Sequence, residues 1–393
     1  MKKLLVGALL GSAAIAYGNA WADDTIKVGF IASLSGNQAV VGRELLDGFN
    51  LAVKELGGKL GNMKAEILVR DDQGKPDAGA QAAERLVQRD RASIVTGVNL
   101  SNVLLAVVPK VAEANRTFIS LNAGPSVLAG SDCSSSFFSV AHQNDTVPEA
   151  MGMHLNKVGV KNLYIMAPNF AAGKDMVAGL KRTYKGGVAA EVYTQFGQLD
   201  YSAELAKLRS AKPDALYVFY PGGMGINFFK QLAQAGLKDE IPVYGVYATD
   251  QTVLPAIGEA ALGVESTAYW SEQLDNDLNR RFVSSFEKEY NRIPSPYAAM
   301  AYDGARLIDA ALKANGNKYG SAKDFARAMH TPTFRSIRGD FKFNTNNFPI
   351  QSHYLLKVEK DAQGRLVNVV TAKINDAYAD AYVGECKLSA PKS

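Results

Sequence analysis

Short apolar runs bounded by turn residues recur along the chain at Ile26–Ile31, Ala65–Val69, Ser93–Thr96, Thr117–Ser120, Asn162–Ala167, Ala189–Tyr193, Ala215–Phe219 and Val243–Val246. Each reads as a buried strand. Between them, apolar residues fall three and four apart over Arg43–Leu56, Pro76–Arg89, Val103–Asn115, Val147–Val158, Lys174–Tyr184, Tyr201–Ser210 and Met224–Ala235, which is the spacing of one helix face. Strict alternation of strand and helix predicts an α/β fold of parallel sheets covered by helices on both faces. The cycle runs twice, from Ile26 to about Val140 and from Asn162 to about Tyr269, so two doubly wound units are expected. Helical patterns follow at Asn276–Tyr290, Ala298–Asn315 and Ala322–Met329. Arg338–Phe343 then alternates like a strand, and Tyr354–Lys360 with Leu366–Ala372 reads as a hairpin over Asp361–Gly364.

Length and charge agree with this division. The 393 residues carry a formal charge of +4 without a Lys/Arg-rich run, which leaves no electrostatic footprint for nucleic acid or an anionic membrane surface. The one long apolar run follows Lys2-Lys3, spans Leu4–Ala16 and ends in Ala20-Trp21-Ala22, the make-up of a cleaved signal peptide over residues 1–22. Export is therefore expected, without membrane insertion after cleavage. In an oxidising compartment the only two cysteines, Cys133 and Cys386, are expected to form a disulfide that ties the C-terminal tail to the first half of the chain.

In open parallel sheets, ligands sit beyond the carboxyl ends of the strands. Three loops there carry small hydroxyl and amide residues: Ser33–Gln38 with Ser35, Gly97–Asn102 with Ser101 placed to cap a helix starting near Val103, and Leu121–Ser126 with Asn122, Ala123 and Gly124. Free N–H groups at helix starts suit a carboxylate. Dinucleotide and phosphate-loop glycine motifs are absent, as are a nucleophile elbow and metal-ligand histidine spacing, so neither cofactor nor metal nor catalysis is expected. Asp71-Asp72 reads as a solvated turn.

The segment Ile26–Gly36, with Gly42, Asp47–Ala52, Asp71-Asp72, Ser120–Gly124, Phe170–Gly173, Asp200–Ser202, Gln231–Gly236 and Pro296–Tyr302, resembles the leucine/isoleucine/valine-binding protein family. These are periplasmic solute-binding subunits of ABC importers. The resemblance implies the type I periplasmic binding protein fold: two Rossmann-like lobes joined by a three-crossover hinge, closing on a ligand. Lobe one would comprise 24–141 and 271–331, lobe two 142–270 and 332–377, with 378–393 as a tail. It also implies a monomer that meets a membrane permease. Among its site residues, Ser101 and the Asn122–Gly124 loop would hold a ligand carboxylate and Phe170 would supply a ring. The position of the family's amine-binding acid falls on Tyr247, where no carboxylate stands. Burying an ammonium without a counter-charge costs several kcal/mol or more, roughly. With Phe170, Tyr220, Tyr247, Tyr269 and Trp270 as candidate rings and Arg43 as a candidate cation, the expected ligand is a small aromatic acid. A branched-chain amino acid, and a sensor role toward a chemoreceptor or kinase, are the alternatives.

Overall fold

The computed structural model describes residues 25–330 and 333–388, so the expected signal peptide lies outside the described residues. Two sheets organise the chain. In the first, strands lie in the order Lys59–Leu60, Met63–Asp71, Thr25–Ala32, Ile94–Gly97, Thr117–Ser120, Phe137–Ser139. All its pairings are parallel except the short Lys59–Leu60 return. In the second, Gly187–Thr194, Asn162–Pro168, Ala215–Val218, Val243–Gly245 and Glu265–Ala268 run parallel. The antiparallel hairpin Pro349–Lys360/Leu366–Tyr378 closes that sheet's far edge.

The chain passes between the two sheets three times: after Ser139, after Ala268 and in the stretch before Lys342. The first return brings Asp277–Tyr290 and Pro296–Ala314 back onto the first sheet. Pro296–Ala314 is buried along most of its length and packs against Ala39–Glu55 so closely that a Cβ on Gly48 would sit 2.1 Å from the Ala298 carbonyl oxygen. That contact explains why two helices far apart in sequence can share one face.

Several expectations shift. Arg338–Phe343 is strand only at Lys342–Phe343, because Arg338 turns inward to a buried Asp303 at 3.4 Å. The hairpin is longer than the alternation indicated, because Gln351 and His353 extend the pairing to Tyr378 and Asn375. Asp71-Asp72 is no solvated turn: Asp72 is fully buried and accepts from Ser33 Oγ at 2.6 Å, while Asp71 accepts from Leu34 N–H at 2.9 Å, so the pair fixes the first loop. The Cys133–Cys386 disulfide is present, closing a separation of 253 residues. Among the described residues no helix is long and apolar enough to cross a membrane, and no cluster of metal-ligating side chains occurs.

Candidate ligand-binding site

Each sheet reverses its direction of winding at one point. In the first sheet this lies between Thr25–Ala32 and Ile94–Gly97, and in the second between Asn162–Pro168 and Ala215–Val218. A crevice opens at such a point because the connections leave on opposite faces. The two crevices face each other, and the loops leaving their strands bring Gln38, Asn99–Ser101, Phe170, Phe219 and Pro221 into one interlobe cleft. Val41, Asn122, Ala123, Ala172, Met176 and Tyr247 complete its walls, with His142 and Asn144 from the first crossover and Tyr297 from the start of a distant helix.

Among the described residues, no charged side chain lines the cleft. Its positive character comes from the backbone. The helices Ala39–Glu55, Ser101–Glu113, Ala171–Thr183 and Gly223–Gln234 all begin at it, and none has its N-terminal N–H groups capped by its N-cap side chain. Four uncapped helix starts aimed at one space favour an anion. Ser101 departs from the expected role: it is the first helical residue and not the cap, and its Oγ accepts instead from Asn144 Nδ2 at 3.1 Å. That leaves its own proton to donate. Asn144 Oδ1 in turn accepts from Gly124 N–H at 3.1 Å. A Cβ at Gly124 would lie 2.0 Å from the His142 carbonyl oxygen, so only glycine fits there.

Two non-glycine residues of the cleft loops hold left-handed backbone, Val98 at φ 58° and Tyr247 at φ 53°. For a β-branched valine this is costly, and such strain concentrates where ligands are gripped. Tyr247 rests among rings: 5.3 Å from His142, 6.2 Å from Tyr297 and 6.4 Å from Phe219, centroid to centroid. Behind it stands Asp250, its carboxyl accepting from Thr252 N–H at 2.8 Å, with burial pushing its pKa up to about 6. Burial likewise pushes the His142 imidazole down to about 3, helped by His353 and Arg338, so it is neutral.

The lobes are closed on one another. Gln38 Nε2 donates to the Pro221 carbonyl at 3.3 Å, and Asp175 accepts from Ser126 Oγ at 2.8 Å and from Asn144 Nδ2 at 2.9 Å. The enclosed space is about 30 Å³, room for a few waters, so a ring enters only when the lobes part. A wider hollow of about 640 Å³ lies at the crossovers between Tyr269, Arg338 and Lys373. It lacks the converging helix starts, and the cleft is the stronger candidate.

Ser101, Asn122, Ala123, Phe170 and Tyr247 are thus brought together, with Gly124 directly behind them. Three expected residues are elsewhere. Ser35 is exposed at the loop tip, where Gln38 takes its place. Arg43 is exposed because it stands two residues, about 200° around the helix, from the cleft-facing Val41. Tyr220 points into the lobe-two core, bonded to Thr194 Oγ1 at 3.1 Å, because alternation sends its neighbour Phe219 to the cleft. Tyr269 backs His142 at 5.1 Å, and Trp270 is buried against Asn279. Sequence reasoning missed Gln38, Asn99, His142, Asn144, Met176, Phe219 and Tyr297; of these, Gln38 and Asn99 lay within loops already singled out.

The family model described as periplasmic binding protein matches residues 25–363. A solute-binding protein of an ABC transporter from R. palustris, solved in complex with benzoate, is 32% identical and superposes with a TM-score of 0.87 over 93% of this chain and 100% of that one. Another, from Rhodopseudomonas palustris BisB5 in complex with 3,4-dihydroxybenzoic acid, is 30% identical with a TM-score of 0.86, covering 91% and 99%. Leu/Ile/Val-binding protein homolog 6 of Brucella melitensis is 27% identical over 378 residues, 94% of this chain and 96% of that protein. The two facing sheets, the three crossovers and the shared cleft are those of the type I periplasmic binding fold, and the chain belongs to the periplasmic binding protein family.

Proposed function

We propose that this protein is the exported solute-binding component of an ABC importer and that it captures a small aromatic carboxylate between its lobes. The observation that carries the reading is the pairing, in one cleft, of four uncapped helix starts with an uncharged wall of Phe170, Phe219, Tyr247 and Tyr297. The helix starts and Ser101, Asn122 and Ala123 hold the carboxylate, and the rings take the apolar body. Binding of benzoate and a dihydroxybenzoate by the two similar solved proteins supports it. The lobes, proposed as 24–141 with 271–331 and 142–270 with 332–377, open and close about the crossovers. The closed monomer is what the permease meets.

A second reading, an α-amino acid, is favoured by Asp250, three positions beyond Tyr247 and behind the cleft wall, and by the names of the curated relatives. A thermal-shift screen against benzoates, phenylpropanoids, dicarboxylates and branched-chain amino acids decides between them. A ligand at 100 times its Kd stabilises the native state by about 2.7 kcal/mol, a readily visible shift. Aromatic acids are expected to shift the midpoint and leucine is not; a shift with leucine or valine alone overturns the reading.

A further inference from the structure

The three crossovers are not the only covalent tie between the lobes. The edge strand Leu366–Tyr378 belongs to the second sheet, where Tyr378 pairs with Gln351. Within the eight residues that follow, Ala379–Cys386, the chain reaches the first lobe and is bonded there, because Cys133 lies between the short helix Ser126–Ala129 and the first sheet's last strand, Phe137–Ser139. The C-terminal tail therefore starts on one lobe and ends on the other.

The disulfide is one of several anchors on the first lobe. The buried Asp380 carboxylate accepts from Asn346 Nδ2 at 3.0 and 3.1 Å, and the same amide donates to the Ala129 carbonyl at 3.0 Å. Tyr382 packs its ring against the cluster that holds Leu128, Ala129 and Phe137. A Cβ at Gly130 would lie 2.9 Å from Glu385 Oε2 and 3.5 Å from Tyr382 Cβ, so the tail lies flat along this segment.

The Tyr382 hydroxyl, by contrast, reaches the second lobe. It donates to Asp145 Oδ2 at 2.8 Å and accepts from Arg182 Nη2 at 2.7 Å, with the guanidinium 5.0 Å from the ring centroid. Arg182 also bonds Asp145 and Glu149, two fully buried carboxylates. Arg182 and Glu149 stand on Ala171–Thr183 and Thr146–Val158, helices that pack on one another and on the second sheet. One side chain is thus seated on the first lobe and held by charged groups of the second. Hydrogen bonds to charged groups are the stronger kind, and they are lost once donor and acceptor part beyond about 3.5 Å, so a small rotation of the lobes breaks both.

We propose that the C-terminal tail is a latch on the closed form: Tyr382 joins the lobes, and the Cys133–Cys386 disulfide keeps Tyr382 seated on the first of them. Opening leaves the tail on the first lobe and pulls its hydroxyl away from Asp145 and Arg182. The latch touches no ligand, so it slows release of every solute alike, whichever solute the cleft takes.

The test is calorimetric titration and stopped-flow release on the full folded protein, with benzoate and 4-hydroxybenzoate as probes, or leucine and isoleucine should the benzoates not bind. Tyr382→Phe keeps the packed ring and removes only the hydroxyl; it should fold, because Arg182 keeps both carboxylates. It should weaken both probes by one common factor of about two- to tenfold, with the change in release and not in capture. The double variant Cys133→Ser, Cys386→Ser should act in the same direction. Adding Tyr382→Phe to it should cost less than Tyr382→Phe alone, since the disulfide acts through the seating of that ring. Wild-type affinity and release in Tyr382→Phe or in the double cysteine variant overturns the proposal. So do factors that simply multiply when the changes are combined, which would mean that the disulfide acts on overall stability alone. Should the cysteine variant not fold, Tyr382→Phe alone still decides.

Discussion

The two walls of the cleft are built on opposite plans. The lobe-one wall carries a run of polar side chains, Gln38, Asn99, Ser101 and Asn122, set among Val41, Leu100, Ala123 and Tyr297, with helix starts behind them. The lobe-two wall is Phe170, Ala172, Met176, Phe219, Pro221 and Tyr247, and several of these side chains also belong to the buried core of that lobe. The polar side chains of the first wall bond to neighbouring loops, whereas most of the second wall is core as well as lining. On the proposed reading, substitutions at Gln38, Asn99, Ser101 and Asn122 should therefore alter binding at less cost to stability than substitutions at Ala172, Met176, Phe219 or Tyr247.

The largest expected effect tests the double duty of the aromatic wall. Phe219 is 3% exposed, stacked on Phe170 at 6.1 Å and edge-on to Tyr247. Phe219→Ala should cost about 3–5 kcal/mol of stability in chemical denaturation, the usual range for a buried phenylalanine, and abolish detectable binding of aromatic acids. A stable variant with lost binding would reduce this wall to a lining laid over the core.

Next comes Asp250, a buried acid behind that wall. Its folded pKa of about 6 lies above the ordinary 3.8. The folded state therefore holds an extra proton between roughly pH 4 and 6, and the stability from this group, present below pH 4, is lost as pH rises through 6. The penalty at neutral pH is about 3 kcal/mol by the size of the shift. His142, at about 3, and His353, at about 4, act in the opposite sense, since both resist protonation as pH falls below 6.5. Only a difference between proteins isolates Asp250. Asp250→Asn, whose Oδ1 can still accept from Thr252, should gain stability over wild type as pH rises from 4 to 6 and level off above that, the window between the ordinary 3.8 and the folded value of about 6. A pH-independent difference would show that Asp250 stays charged throughout.

How much of this was legible depends on how each side chain reaches the cleft. The alternating pattern showed the sheets, and with them the loops that carry Ser101, Asn122 and Phe170, because those loops leave strands directly. Faces were harder to read. Tyr220 and Arg43 sit one residue and two residues from the cleft-facing Phe219 and Val41, and with a period of 2 in a strand or 3.6 in a helix such a small offset reverses the direction. His142, Asn144 and Tyr297 come from a crossover and from the first turn of a helix more than 150 residues further on, and no local pattern marks them. The strain at Val98 and Tyr247 has no signature in sequence either, since neither residue type favours a left-handed backbone.

On the polar wall, Ser101→Ala should weaken carboxylate binding about tenfold, or about 1.4 kcal/mol, because it removes one donor to a charged group. Its effect on stability should be smaller than that of Phe219→Ala, since the lost contact is the single bond from Asn144 Nδ2. Titration and denaturation of both variants set the walls side by side. Equal losses of stability would erase the contrast between them.

The smallest effect concerns what brings the walls together. Asp175, on the lobe-two helix Ala171–Thr183, does not line the cleft, yet it accepts from Ser126 Oγ at 2.8 Å, from Ser126 N–H at 3.2 Å and from Asn144 Nδ2 at 2.9 Å. Asn144 is the residue whose amide also reaches Ser101, so the clasp and the carboxylate wall share one side chain. Asp175→Asn turns an amide toward donors and loosens the closed form without touching ligand. Apparent affinity scales with the fraction of molecules able to close, so every ligand should weaken by the same factor, about two- to tenfold for a net loss of 0.5–1.5 kcal/mol. Ser101→Ala discriminates by carboxylate, whereas Asp175→Asn should not discriminate at all. Solution scattering on the free variant should show a larger radius of gyration than wild type. Unequal losses across ligands would place Asp175 in direct recognition, and unchanged affinity would mean that the lobes close without it.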